Sequence, residues 1–266
     1  GLANSAVLAL AVNSSGTVFA GTRDGGLFRS TDGGGSWTQT GLASTSVWSL
    51  ALNANGNIFA GANADVFFAA SVFRSTDNGG TWTQPSWTVE DEIRTLAVNS
   101  SGHVFAGACA DLFCFSGGLY RSVDNGGSWT PVTGGLTSTP VVSLAINSNG
   151  DLYAGTGGGV FRSTNNGGSW TQTGLTSTYV GALVVNATGD IFAGSAVGIY
   201  RSTDAGANWT KVNVGLTSTS VRALAVNSTG SLFAGTSGGG VFRSIDNGGS
   251  WTPVNNGVAS TRVQTL

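Results

Sequence analysis

The stretch RSTDNGGTWTQ, Arg74 to Gln84, decides how this chain is read, because its core phrase does not occur once. Ser75-x-Asp77-x-Gly79-x-x-Trp82 returns as Ser30–Trp37, Ser122–Trp129, Ser163–Trp170, Ser202–Trp209 and Ser244–Trp251. Taken alone, Asp77 could be a metal ligand, a catalytic acid or a piece of architecture. A catalytic centre needs a few groups converging on one point, not one copy in every unit. Asn165 also stands where the other copies have Asp32, Asp77, Asp124, Asp204 and Asp246. An amide accepts the same turn hydrogen bonds as a carboxylate but carries no charge, so no anion is required there. These six positions read as structural.

Working outward, a second phrase, V-x-x-L-A-V-N, sets the period. It starts at Val7, Val47, Ile93, Val141, Val180 and Val221, with a truncated start at Val263, at spacings of 40, 46, 48, 39, 41 and 42 residues. The last full unit shows four segments: VRALAVN (221–227), SLFAGT (231–236), GVFRSID (240–246) and SWTPV (250–254). Short runs rich in Val, Leu, Phe and Ala, separated by Asn-Ser-Thr-Gly, Ser-Gly-Gly and Asn-Gly-Gly, predict antiparallel strands joined by turns. No window carries a sustained 3.6-residue apolar period, so almost no helix is expected. Four strands in about 42 residues match a propeller blade. The expectation is an all-β, six-bladed β-propeller with four antiparallel strands per blade, A to D from the hub outward. A single domain over 1–266 has repeats of about 7–46, 47–92, 93–140, 141–179, 180–220 and 221–262, with a partial seventh at 263–266.

Six registered copies of Ser-x-Asp-x-Gly-x-x-Trp resemble the Asp-box, or BNR, repeat of sialidase-like and sortilin-like propellers. The resemblance spans essentially the whole chain. It implies that the box forms the turn between strands C and D and that its role is architectural. The residues agree: the Asp accepts N–H groups of its own turn, Gly permits positive φ, and Trp buries its face while pointing its N–H at a carbonyl. A calcium loop would need more alternating oxygen ligands. No metal or other cofactor is expected.

Only 9% of the 266 residues are charged, with Lys+Arg at 11 and Asp+Glu at 13. No basic cluster could neutralise a run of phosphates, which argues against nucleic acid. No apolar run approaches the roughly 18 residues of a membrane span. The Gly, Ser, Thr and Asn surface fits an extracellular, cell-surface or periplasmic protein. The chain starts at Gly1 without a signal-peptide pattern, so a mature or excised form is expected, one that could belong to a longer multi-domain chain. Cys109 and Cys114 share one loop; a local disulfide and two free thiols both remain open.

Function is sought where the repeat breaks. The A–B turns are nearly uniform: NSSG, NANG, NSSG, NSNG, NATG and NSTG. The B–C loops are not: GANADVFFAAS (61–71) and GACADLFCFSGG (107–118) replace short forms such as GTGGG, and PSWTVEDE (85–92) breaks the D–A pattern. Antiparallel order puts all three on one face, in adjacent blades. The candidate ligand-binding residues there are Asp65, Phe67, Phe68, Trp87, Glu90, Asp91, Glu92, Asp111 and Phe113, with Phe115, Arg23 and Asp24 beside them. The second residue of strand A also varies: Leu8, Trp48, Arg94, Val142, Gly181 and Arg222. Trp48, Arg94 and Arg222 join the candidates, since arginines there could hold an anion. Aromatics beside carboxylates suit a glycan or a protein partner. The competing reading has the Phe residues packing the long loops together and the acids merely solvated.

The expected function is a non-enzymatic binding or interaction module. The alternative is a glycoside hydrolase of sialidase-like propeller type. That family resemblance implies three arginines, an acid and a Tyr–Glu pair on one face, but the only glutamates, Glu90 and Glu92, share one link and no tyrosine is tied to them by pattern. A two-carboxylate mechanism could draw on Asp65, Asp111 or the Glu90–Glu92 segment. The Phe/Tyr-Arg-Ser arginines, Arg29, Arg74, Arg121, Arg162, Arg201 and Arg243, recur once per blade and are expected to bond between blades. Gly1–Leu10 and Gly257–Leu266 occupy the same phase, so the tail is either displaced or leads into further blades.

Overall fold

A computed structural model of the chain describes residues 1–2, 6–63, 70–85, 87–89, 92–109, 117–258 and 260–266. The chain is a six-bladed β-propeller, and no helix occurs among the described residues. It divides into two compact units, Gly1–Val132 and Thr133–Leu266.

The first unit holds three blades. Blade 1 is β1 (Val7–Val12), β2 (Val18–Thr22), β3 (Gly26–Ser30) and β4 (Thr38–Ala43). Blade 2 is β5 (Val47–Leu52), β6 (Ile58–Asn63) and β7 (Ala70–Ser75). Its outer edge is completed by bridges Arg74↔Thr83 and Ala70↔Val89. Blade 3 is β8 (Glu92–Val98), β9 (Val104–Cys109), β10 (Gly117–Ser122) and β11 (Thr130–Pro131). Cys109, buried at the end of β9, is disulfide-bonded. Cys114 lies outside the described residues.

In the second unit, blade 4 is β12 (Val141–Ile146), β13 (Leu152–Thr156), β14 (Gly159–Ser163) and β15 (Thr171–Thr176). Blade 5 is β16 (Val180–Val185), β17 (Ile191–Ser195), β18 (Gly198–Ser202) and β19 (Thr210–Lys211). Blade 6 is β20 (Val221–Val226), β21 (Leu232–Thr236), β22 (Val241–Ser244) and β23 (Thr252–Pro253).

Within each unit the core lies in the seams between successive blades. Phe19 of blade 1, for example, is fully buried with Val47, Ile58 and Ala60 of blade 2. Phe192 of blade 5 meets Val221 and Leu232 of blade 6 in the same way. Burying each such side chain contributes roughly 1.5–3 kcal/mol. Gly21, Gly61 and Gly194 of the Phe-Ala-Gly phrases let the next strand A approach. A Cβ on Gly194 would stand 2.7 Å from Val221 Cγ1, and one on Gly61 would stand 2.7 Å from Ile93 Cβ. The tail obeys the same rule: a Cβ on Gly235 would stand 2.6 Å from Val263 Cγ1. Val263 N–H donates to Thr236 O (3.0 Å) and Arg262 bridges Ser237. Val263 therefore sits against blade 6 as the first residue of a following strand A would.

The repeated turn is a hydrogen-bonded knot. In blade 2, Ser75 Oγ donates to Asp77 Oδ1 (2.8 Å) and accepts from Gly79 N–H (2.9 Å). Asp77 Oδ1 accepts Thr81 N–H (2.8 Å), and Oδ2 accepts the Thr81 hydroxyl (2.7 Å). Trp82 Nε1–H donates to Gly79 O (3.2 Å). In blade 4, Asn165 Oδ1 accepts Ser169 N–H (2.8 Å) while its amide donates to the Ser169 hydroxyl (3.0 Å). The neutral copy reverses one donor and keeps the turn.

The arginines correct a sequence expectation. Arg29 and Arg74 do cross to the next blade, donating to Asn78 O (3.0 Å) and Asn125 O (3.1 Å). Arg162, Arg201 and Arg243 instead turn to Asp151 (2.6 Å), Asp190 (2.7 Å) and Ser231 (3.3 Å) of their own blades. For Arg162 and Arg201 the last residue of the A–B turn is an acid, Asp151 or Asp190, which captures the guanidinium; Arg243 meets the Ser231 hydroxyl at the same position.

Candidate functional site

Every strand A opens with a β-bulge. In β5, Val47 pairs with Ala62 and Ser49 with Gly61, leaving Trp48 unmatched. In β8, Ile93 pairs with Ala108 and Thr95 with Gly107, leaving Arg94 unmatched. The same shift isolates Leu8, Val142, Gly181 and Arg222. A bulge releases one residue from the pleat and re-aims its side chain. The variable second position is therefore the residue that each blade sets free.

In the first unit this geometry gathers four side chains from three blades. Arg94 lays its guanidinium over the Trp48 ring, 4.3 Å from the centroid, and Arg23 approaches the same ring at 5.8 Å. Arg94 Nη2 pairs with Glu92 Oε2, and both side chains keep 28% of their surface exposed. Burial pushes the Glu92 carboxyl above its ordinary value, although Arg94 and then Arg23 pull it down. Arg23 itself is exposed. Its loop is held by Arg23 N–H to Ala6 O (3.0 Å) and by the Ser46 hydroxyl to Asp24 Oδ1 (2.7 Å). The cluster offers an indole edge, two guanidinium forks and one carboxylate at a partly exposed surface. Trp and Arg are the side chains on which interface energy concentrates, and guanidinium–indole stacking keeps both rigid.

Other candidates fall elsewhere. Trp87 stacks on Trp129 (5.0 Å, 22°) and meets Tyr120 edge-on (5.0 Å, 65°), packed against the core between blades 2 and 3. Its ring closes a seam. It stands five residues after Trp82, as the buried Leu42 and Leu175 stand five after Trp37 and Trp170, and that alignment was open to a sequence reader. Arg222 is exposed on β20 in the second unit. Asp65, Phe67, Phe68, Glu90, Asp91, Asp111, Phe113 and Phe115 lie outside the described residues. The turn acids are spent on their own turns. Asp77, Asp124, Asp204 and Asp246 are held down to about 2, led by hydrogen bonds from the residue four places on, and Asp32 is driven lower still by Ser36. Among the described residues, no three His, Cys, Asp or Glu side chains converge as metal ligands would. No helix among them is long and apolar enough to cross a membrane.

Comparison with known proteins agrees with this architecture. A family model described as the DUF6242 beta propeller domain matches residues 90–213, just under half of the chain. No curated protein is similar to it in sequence. Among solved structures, YCF48 bound to D1 peptide superposes with a TM-score of 0.70 at 17% identity, over 93% of this chain and 80% of that one. The extracellular domain of a putative one-component system from B. thetaiotaomicron gives 0.75 at 17% identity, over 99% of this chain but 36% of that one. A GH74 xyloglucanase from Xanthomonas campestris gives 0.74 at 16% identity, over 94% of this chain and 45% of that one. The chain thus spans less than half the length of each of the last two. Such identities show a shared fold.

Proposed function

We propose that this chain is a non-enzymatic binding module of the Asp-box kind, secreted or displayed at a cell surface, that takes a glycan or protein partner on the B–C and D–A loop face of blades 2 and 3. The observation that carries it is the pair of bulged residues Trp48 and Arg94, stacked at a partly exposed surface with Glu92 paired to Arg94 and Arg23 approaching the same ring. The structural neighbours support an interaction role, since one is described in complex with a peptide. An extracellular setting is supported by the B. thetaiotaomicron domain and by the 9% charged composition.

The glycoside hydrolase reading has one observation in its favour: burial pushes the Glu92 carboxyl upward, the direction a general acid needs. It is weighed down by the ion pair that occupies Glu92. Glycan and peptide arrays, run beside hydrolysis of aryl glycosides, separate the two. Retention of a ligand that is lost in Trp48→Ala supports the module. Turnover that disappears in Asp65→Asn or Glu90→Gln overturns it.

A further inference from the structure

The turn of blade 5 departs twice from its siblings. It reads Asp204-Ala205-Gly206-Ala207, where blades 2, 3, 4 and 6 place Asn78, Asn125, Asn166 and Asn247 at the position of Ala205. All these residues are left-handed, with φ of 59°, 61°, 56° and 59°, and Ala205 is held at 58°. Asparagine visits that region readily; alanine does so at a cost of roughly 1–2 kcal/mol. In blades 2, 3 and 6 the asparagine stitches two blades together. Asn78 Oδ1 accepts from Asn13 Nδ2 (3.0 Å), Asn125 from Asn53 (3.1 Å) and Asn247 from Asn186 (2.8 Å). Ala205 has no amide to offer. Asn147, the equivalent donor, turns to Asp151 of its own turn (3.2 Å), and Arg162 turns to the same acid. The seam between blades 4 and 5 thus lacks both side-chain stitches at this end, and a groove of about 540 Å³ lies there.

One wall of the groove carries Thr164, Thr171, Gln172 and Thr173; the other is the backbone of Ala205 to Ala207. Thr164 and Thr171 are exposed, with hydroxyls that can both donate and accept. Gln172 Nε2 donates to Gly158 O (3.0 Å), which fixes the side chain and leaves Oε1 to accept. Thr173 Oγ1 accepts Leu175 N–H (3.4 Å) and keeps its own proton to donate. Both charges in the wall are committed: Arg162 to Asp151, and Asp204 to Ser202 and Asn208. The groove therefore presents paired donors and acceptors on short side chains, without net charge and without an aromatic anchor. An anion would find Arg162 already neutralised, and a peptide would find no pocket for an apolar anchor. A polyhydroxylated ligand matches both properties, and the volume lies in the range of small-ligand sites.

We propose that this groove is a saccharide-binding subsite, independent of the loop face of blades 2 and 3. The test is a titration of the ¹⁵N-labelled full chain with cellobiose, maltose and diacetylchitobiose, and separately with sodium sulfate, in the parent, Ala205→Asn and Trp48→Ala forms. Ala205→Asn puts the sibling residue at a φ it tolerates, so thermal unfolding should show an intact fold with the groove filled. The expected result is that at least one disaccharide moves the amides of residues 171–174 and 205–207. Its affinity should fall about tenfold in Ala205→Asn and stay unchanged in Trp48→Ala. The proposal is overturned if no disaccharide moves those amides, if the shifts persist undiminished in Ala205→Asn, or if sulfate alone produces them.

Discussion

Arg94 and Trp48 are the bulged residues of two successive strands A, and the guanidinium of one lies 4.3 Å from the ring centroid of the other. Each blade frees one residue, and in the first unit two of the freed residues stack. Charged stacking of this kind contributes about 0.5–2 kcal/mol, depending on how far it is desolvated. A double-mutant cycle of Trp48→Ala and Arg94→Ala, read by urea unfolding, should give a coupling of about 1 kcal/mol. Additive effects would mean that the contact carries no energy.

Acid should act on the repeated turns with a definite sign. Asp77, Asp124, Asp204 and Asp246 fall from 3.8 to about 2 in the folded chain. A depressed carboxyl stabilises the fold above its unfolded value and loses that contribution as pH falls through the folded one. Stability should therefore decline between about pH 4 and pH 2. Asp77→Asn, which copies the natural amide of Asn165, should fold at neutral pH with a shallower acid decline in circular-dichroism melts. Glu92 acts in the opposite direction. Its raised value opposes folding increasingly as pH climbs from 4.5 through the folded value, so Glu92→Gln should remove that slope.

The seam glycines should be intolerant of a methyl group, each in proportion to its neighbours. Gly194→Ala would drive a Cβ to 2.7 Å from Val221 Cγ1, and overpacking of this kind costs about 1–3 kcal/mol. Gly157 has no heavy atom within 4 Å of such a Cβ and no left-handed φ. Gly157→Ala should be neutral or slightly stabilising. Chemical denaturation of the two variants side by side checks the contrast; equal effects would mean that the seams are not tightly packed.

Trp87 provides a separate test of packing against recognition. Stacked on Trp129 and Tyr120, it should behave as a core residue: Trp87→Ala loses about 3–5 kcal/mol, and Trp87→Leu, after Leu42 and Leu175, loses less. Ligand retention should survive Trp87→Leu. A variant that is fully stable yet unable to bind would return Trp87 to the recognition surface.

The blade pattern was legible because each element announces itself locally. The Ser-x-Asp-x-Gly-x-x-Trp phrase fixes a turn through contacts within eight residues, such as Asp77 with Thr81, and four strand-length runs fall between successive copies. The variability of the second strand A residue was also visible, but its cause was not. A bulge arises from the pairing of Trp48 and Arg94 with strands that share no local sequence signal. Partner choice was hidden for the same reason. Whether Arg162 reaches across a seam depends on Asp151, which lies eleven residues away in sequence and beside it in space. Ala205 was readable as an exception, but only the other blades' amide stitches show what its methyl group leaves undone.

In the function proposed above, fastening falls to the turn acids and recognition to the bulged residues, and one titration tests that division. A glycan or peptide retained on an array is titrated, by calorimetry, against the parent chain, Trp48→Ala, Arg94→Ala and Asp77→Asn. Trp48→Ala and Arg94→Ala should each weaken binding about tenfold or more, while Asp77→Asn should bind as the parent does. Loss of binding in Asp77→Asn with the fold intact, or full binding in both Trp48→Ala and Arg94→Ala, would contradict the division.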